Sequence, residues 1–137
     1  MIKENKKMVV SGKRKTAVAK ATIEAGTGVI TFNKRPLSFL TNLQQLEISE
    51  PLIIAKEVLR KLDFDISVNV KGGGTACQVE AGRLAIAKAI VAFNGKEDVR
   101  NAFLAYDRNM LIADTRRKEA CKPGDSKARS MRQSSKR

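Results

Sequence analysis

The chain has no histidine and no tryptophan, and its 137 residues include only one tyrosine, five phenylalanines and two cysteines. Without histidine, the usual general base, the Ser-His and Cys-His pairings and the commonest metal ligand are missing, which excludes much of enzymology. The shortage of aromatic rings provides poorly for an aromatic stacking module. Cys77 and Cys121 stand far apart with no Cys-x-x-Cys pair. They read as a small buried residue and an exposed free thiol, not as a disulfide or a zinc site. No apolar run approaches the ~20 residues of a spanning helix. The segment Met1 to Lys7 lacks the apolar stretch of a signal peptide, and the C-terminal segment lacks the apolar face of an interfacial helix. These absences predict a cytosolic protein with no membrane partner, no metal and no cofactor.

What the chain has in excess is positive charge, 27 Lys and Arg against 14 Asp and Glu, for a net charge of +13. Residues 1–20 hold seven bases and one acid, and residues 115–137 hold nine bases and two acids. The middle holds equal numbers of each, so the whole net charge lies at the two ends. A single charge run is commonly a solvated surface. Two runs flanking a neutral middle point instead to a polyanionic partner, from which basic arms displace counterions.

Hydrophobic periodicity divides the chain into a globular unit, 1–114, and a tail, 115–137. From Met8 to Ala25 apolar residues alternate, with Ala17, Ala19, Ala21 and Ile23 on one face, which predicts a strand. Gly26-Thr27-Gly28 then suggests a β-hairpin with Val29 to Phe32. Pro51 is expected near a helix start, followed by Leu52, Ala55, Val58, Leu59 and Leu62 at helical spacing. Ile66, Val68 and Val70 predict a half-buried strand. After Gly72-Gly73-Gly74 comes a long helix ending near Asn94-Gly95, then a shorter one over about 98–106, and Met110 to Ala113 suggests a last short strand. Beyond Asp114 there is no Val, Ile, Leu, Phe or Tyr, so the tail reads as an arm ordered by its partner. The expected class is α+β, with helices on one face of a small sheet.

Three motifs invite a ligand. Gly12-Lys13-Arg14-Lys15-Thr16 lacks the Gly that a nucleotide-phosphate loop needs four residues before its Gly-Lys-Thr/Ser. It remains a set of three cations, of which Lys13 and Lys15 share the parity of the inward Ala17 and Ala19 and are expected beyond the helix-covered part of the sheet. The triple glycine could offer amides to a phosphate, or simply connect a strand to a helix. Asp63, Asp65, Asp107 and Asp114 form no paired-carboxylate constellation, so catalysis has no evident residues. The tail spaces its cations around Pro123-Gly124 without periodicity, which suits threading along folded RNA.

These strings together resemble the family of the ninth small-subunit ribosomal protein in its archaeal form. The resemblance rests on residues 12–19, Gly26-x-Gly28, Asn33-x-x-Pro36-Leu37, Gly72-Gly73-Gly74 with Gln78, Arg83-x-Ala85-Ile86-Ala87-Lys88-Ala89, Asp114-x-Arg116 and the ending Gln133-Ser134-Ser135-Lys136-Arg137. It implies the fold named after the second domain of the fifth small-subunit ribosomal protein, with a left-handed βαβ crossover. It also implies a place in the head of the small subunit, with small-subunit ribosomal RNA and neighbouring head proteins as partners. The candidate ribosomal-RNA contacts are Lys13, Arg14, Lys15, Lys20, Lys34, Arg35, Arg83, Arg116, Arg117, Lys118, Lys122, Lys127, Arg129 and Arg132. The tip, Ser135, Lys136 and Arg137, is expected near peptidyl-site tRNA. The alternatives are a small-molecule kinase using the triple glycine and a DNA-compacting protein.

Overall fold

A computed structural model describes residues 7–132. Five strands, β1 (Met8–Arg14), β2 (Ala17–Ala25), β3 (Ile30–Phe32), β4 (Arg35–Pro36) and β5 (Phe64–Lys71), form one sheet in the order β1-β2-β5-β3-β4. All neighbours are antiparallel except β3 and β5, which are parallel. Their crossover runs through α1 (Asn42–Leu59), and α2 (Thr75–Asn94) and α3 (Glu97–Tyr106) follow β5. α2 lies across β1, β2 and β5, and α1 and α3 pack against it. The expected α+β layering therefore holds.

The core sits between α2 and one sheet face. Ala17, Ala19, Ala21 and Ile23 of β2 and Phe64, Ile66, Val68 and Val70 of β5 alternate inward, and Val79, Ala81, Ala85, Ile86, Ala89 and Ile90 of α2 meet them. Short side chains on both surfaces let the helix approach closely. Phe103 and Val99 of α3 and Ile48 and Ala55 of α1 close the far side of the cluster.

Four expectations about the elements need correction. The hairpin is not centred on Gly26 to Gly28; β1 turns into β2 at Lys15-Thr16, where Lys15 takes φ 51. β5 has four inward apolar side chains and takes the middle of the sheet, separating β2 from β3. The Gly26 to Val29 loop is fastened to it, because Asp65 Oδ1 accepts the N–H groups of Thr27, Gly28 and Val29 at 2.8–2.9 Å. The tight turn also changes the parity. Lys13 lies opposite Val18 on the open sheet face, so it is exposed on that face and not because it projects past the helices.

The third correction concerns α1, which begins at Asn42 and carries Pro51 inside it. Its start is set by Thr41, whose N–H donates to Gln44 Oε1 at 3.2 Å. An interior proline forgoes one helical hydrogen bond. Here Pro51 is itself buried beside Leu52 and Ile48, so packing offsets the loss. Finally, Met110 to Ala113 is no strand. Asp107 accepts the Asn109 N–H at 2.8 Å, winding Arg108–Met110 into a 3₁₀ turn that buries Met110. No helix or strand follows it among the described residues.

The triple glycine is the tight connection that its second reading anticipated. Gly72 (φ 77) and Gly73 (φ 68) have left-handed backbones, and a Cβ on Gly72 would lie 2.6 Å from the Thr16 carbonyl oxygen. Only glycine fits beneath the β1–β2 turn in that conformation. Cys77 is half-buried and Cys121 exposed, and both are free thiols. Among the described residues no helix is long and apolar enough to cross a membrane.

Candidate nucleic-acid interface

Two strands paired by a two-residue turn place Lys15 at the tip of a hairpin. The chain returns to that tip a hundred residues later, after the 3₁₀ turn. Arg14, Lys15, Arg116, Arg117 and Lys118 line one open cleft, so the two ends that hold the net charge meet there. Lys15, Arg116, Arg117 and Lys118 are all exposed.

A carboxylate holds this meeting point together. Asp114 forms an ion pair with Arg14 and accepts from the Arg116 backbone N–H at 2.8 Å and from its guanidinium at 2.6 and 2.8 Å. The bonds from Arg116 are the main reason that the Asp114 carboxyl is held well below the usual carboxylate range, with Arg14 adding to them. Arg14 also pairs with Glu80 of α2, and that bond, then the one to Asp114, raises its pKa. Arg14 therefore points to the helix side and ties strand, helix and tail together. Lys13 and Lys15 carry the outward charge of the motif.

Arg83 is likewise committed. From α2 it reaches Glu50 of α1 at 2.5 Å and Asp107, at the end of α3, at 3.5 Å, joining three helices through one guanidinium. Lys20 stands on the open sheet face opposite Ser11 and Asn69. Lys71, opposite Val18, adds a third lysine to that face beside Lys13 and Lys20. It was not among the sequence candidates, although its alternation with Val70 marks it as outward. Lys34 sits in the β3–β4 turn, and the Arg35 guanidinium lies over the Phe39 ring.

In the tail, Lys118, Lys122 and Lys127 are exposed. Arg129 pairs with Glu119 at 2.9 Å, and Arg132 donates from Nε to the Gly124 carbonyl at 2.7 Å, so the segment folds back locally. The candidates Ser135, Lys136 and Arg137 lie outside the described residues. The geometry thus gathers one basic surface from the hairpin tip, the open face and the tail root, and sets Arg14 and Arg83 apart as connectors.

The sequence was compared with known proteins. The family model for ribosomal protein S9/S16 matches residues 12–137. The small ribosomal subunit protein uS9 of Methanococcus vannielii is 46% identical over 116 residues, 84% of this chain and 85% of the relative. Its counterpart from a Methanococcus maripaludis strain is 47% identical over the same shares of both chains. The extent of these matches, covering both the folded domain and the tail that the basic cleft joins, means that the chain belongs to the ribosomal protein S9/S16 family, in its archaeal form.

Proposed function

We propose that this protein is a structural constituent of the small ribosomal subunit and serves translation in the cytoplasm without catalysing a reaction. It binds ribosomal RNA through the basic hairpin tip, the open sheet face and the tail. Lys13, Lys15, Lys20, Lys34, Arg35, Arg116, Arg117, Lys118, Lys122, Lys127, Arg129 and Arg132 supply the phosphate contacts. Arg14 and Arg83, mostly buried and each paired with two carboxylates, position the elements that carry the others, whereas Arg116 and Arg129 pair with one carboxylate and stay exposed. The tip, Ser135 to Arg137, reaches peptidyl-site tRNA, and neighbouring head proteins complete the setting.

The observation that carries this reading is the cleft in which the β1–β2 turn and the tail root present four exposed cations, Lys15, Arg116, Arg117 and Lys118, beside the connector Arg14. Phosphates are the ligands such a surface takes, by counterion release and charge-assisted hydrogen bonds. The test is co-sedimentation with small subunits before and after a high-salt wash, alongside filter binding of the free protein to small-subunit ribosomal RNA. Changing Lys13 and Lys15 together to Ala should lower the salt slope of RNA binding by about 2. Equal affinity for any DNA duplex, or a slope unchanged in the double variant, would overturn the reading. Deleting Ser135 to Arg137 should leave assembly intact and weaken peptidyl-site tRNA by roughly 1–3 kcal/mol.

A further inference from the structure

We propose a site for one unpaired RNA base on the exposed ring of Phe39, away from the basic cleft. The proposal rests on the RNA-binding reading above and adds a contact of a different kind, made by stacking. Phe39 is 71% exposed, although the chain has only five phenylalanines and buries three of the others completely or nearly so, Phe32, Phe64 and Phe103.

The backbone imposes that exposure. Leu37–Phe39 forms a 3₁₀ turn closed by the Leu40 N–H to the Leu37 carbonyl at 3.0 Å. With three residues per turn, Leu37 and Leu40 fall on the same side, and both pack against the core. Phe39 is thereby turned outward. The turn is fastened from α1, where Gln45 Nε2 donates to the Leu40 carbonyl at 2.8 Å. One ring face lies 5.8 Å below the Arg35 guanidinium, and most of the side chain is exposed. A base laid on the free face would complete an arginine–ring–base stack, the arrangement by which RNA-binding proteins hold splayed-out bases.

The surroundings select a nucleic acid over a protein partner. Phe32, Asn33, Arg35, Pro36, Phe39, Leu40 and Gln78 line the groove, with no carboxylate among them. Lys34 stands in the adjoining turn with a left-handed backbone. Gln78 belongs to the first turn of α2, whose N-terminal end adds positive potential. Two amides have one half fixed. Asn33 Oδ1 accepts the Val70 N–H at 2.7 Å, and Gln78 Nε2 donates to the Gly72 carbonyl at 3.1 Å. The Asn33 amino group and the Gln78 oxygen are then a donor and an acceptor for the edge of the base.

The absence of tryptophan makes the test direct, because Phe39→Trp introduces the only indole in the chain. The full-length variant is titrated with small-subunit ribosomal RNA while filter binding reports complex formation. The expected result is quenching of the indole emission in step with binding. In parallel, Phe39→Ala should weaken binding by about tenfold at every salt concentration with an unchanged salt slope, whereas Arg35→Ala lowers the slope by about 1. Phe39→Leu, which keeps apolar bulk without a ring, should behave as Phe39→Ala. Binding with no quenching, or Phe39→Ala within twofold of the parent, overturns the proposal. So does normal RNA affinity of Phe39→Ala combined with poor uptake into subunits, which would assign the ring to a protein neighbour. If no variant and no parent protein binds the RNA, the RNA-binding reading fails as well.

Discussion

Gly12 faces the helix side of β1, opposite Ala19, and a Cβ at this position would lie 2.7 Å from the Ala85 nitrogen, 3.1 Å from the Ala85 Cα and closer still to the Ala81 carbonyl oxygen. All three atoms belong to the main chain of α2, so no side chain can rotate away. Gly12→Ala must push the helix off the sheet by roughly 1 Å to restore ordinary contact with the nearest of them. Ala17, Ala19 and Ala21 beneath the same helix are too short to follow, and a gap opens along them. Overpacking typically costs about 1–3 kcal/mol, and a radial gap of this size forfeits a quarter to a half of the dispersion energy of the contacts it opens. Together they give about 3 kcal/mol. With a urea slope of about 2 kcal/mol per molar, the midpoint should fall by about 1.5 M while the slope itself stays constant. Equilibrium urea unfolding followed by circular dichroism measures it. A midpoint within about 0.3 M of the parent would refute the close contact of α2 with β1.

The opposite outcome is expected at Gly74, the N-cap of α2, which has an ordinary φ of −94 and nothing near its missing Cβ. Gly74→Ser should add a cap and restrict the unfolded chain, raising stability by about 0.5–1 kcal/mol in the same assay. Arg14→Ala should lower the urea midpoint, because it strips partners from Glu80 and Asp114, whereas Lys13→Ala and Lys15→Ala should leave it unchanged. Asp65, through the Val29 N–H first, and Asp114, through Arg116, have carboxyls held below their ordinary value. Their stabilisation is fully present above the unfolded carboxylate pKa of about 4 and is lost as pH falls through the lower folded values. Asp114→Asn should flatten the acid side of the stability–pH curve, and an identical curve would contradict the Asp114 network.

Period and composition made β5, α2 and α3 legible, since each has an unbroken apolar face in sequence. The β1–β2 hairpin was hidden because Lys15-Thr16 contains none of the usual turn residues, while Gly26-Thr27-Gly28 nearby looks like a better turn. The inward face of β1 also gave little signal, because two of its positions are Gly12 and Arg14. Pro51 masked the start of α1 because only burial in the finished fold makes an interior proline tolerable. At the candidate site the residue types were readable and their commitments were not. Arg14 finds Glu80, 66 residues away, and Arg83 finds Asp107, 24 residues away, partners that no local pattern reveals.

The sheet order has a consequence for the protein before it meets RNA. β4, two residues long and ending in Pro36, is a blunt border. β1 is the other border, seven residues long with Val9 63% exposed, and its outer row of amides and carbonyls is a template for another strand. The outward cations near its ends, Lys7 at one and Lys13 and Lys15 at the other, should act as gatekeepers, because a second copy pairing there would bring like charges together. These lysines should therefore guard the free chain against self-association. A short polyanion that neutralises the hairpin tip without covering β1 would remove that guard, so aggregation should be worst with substoichiometric, short RNA and least with none or with the full-length ribosomal RNA.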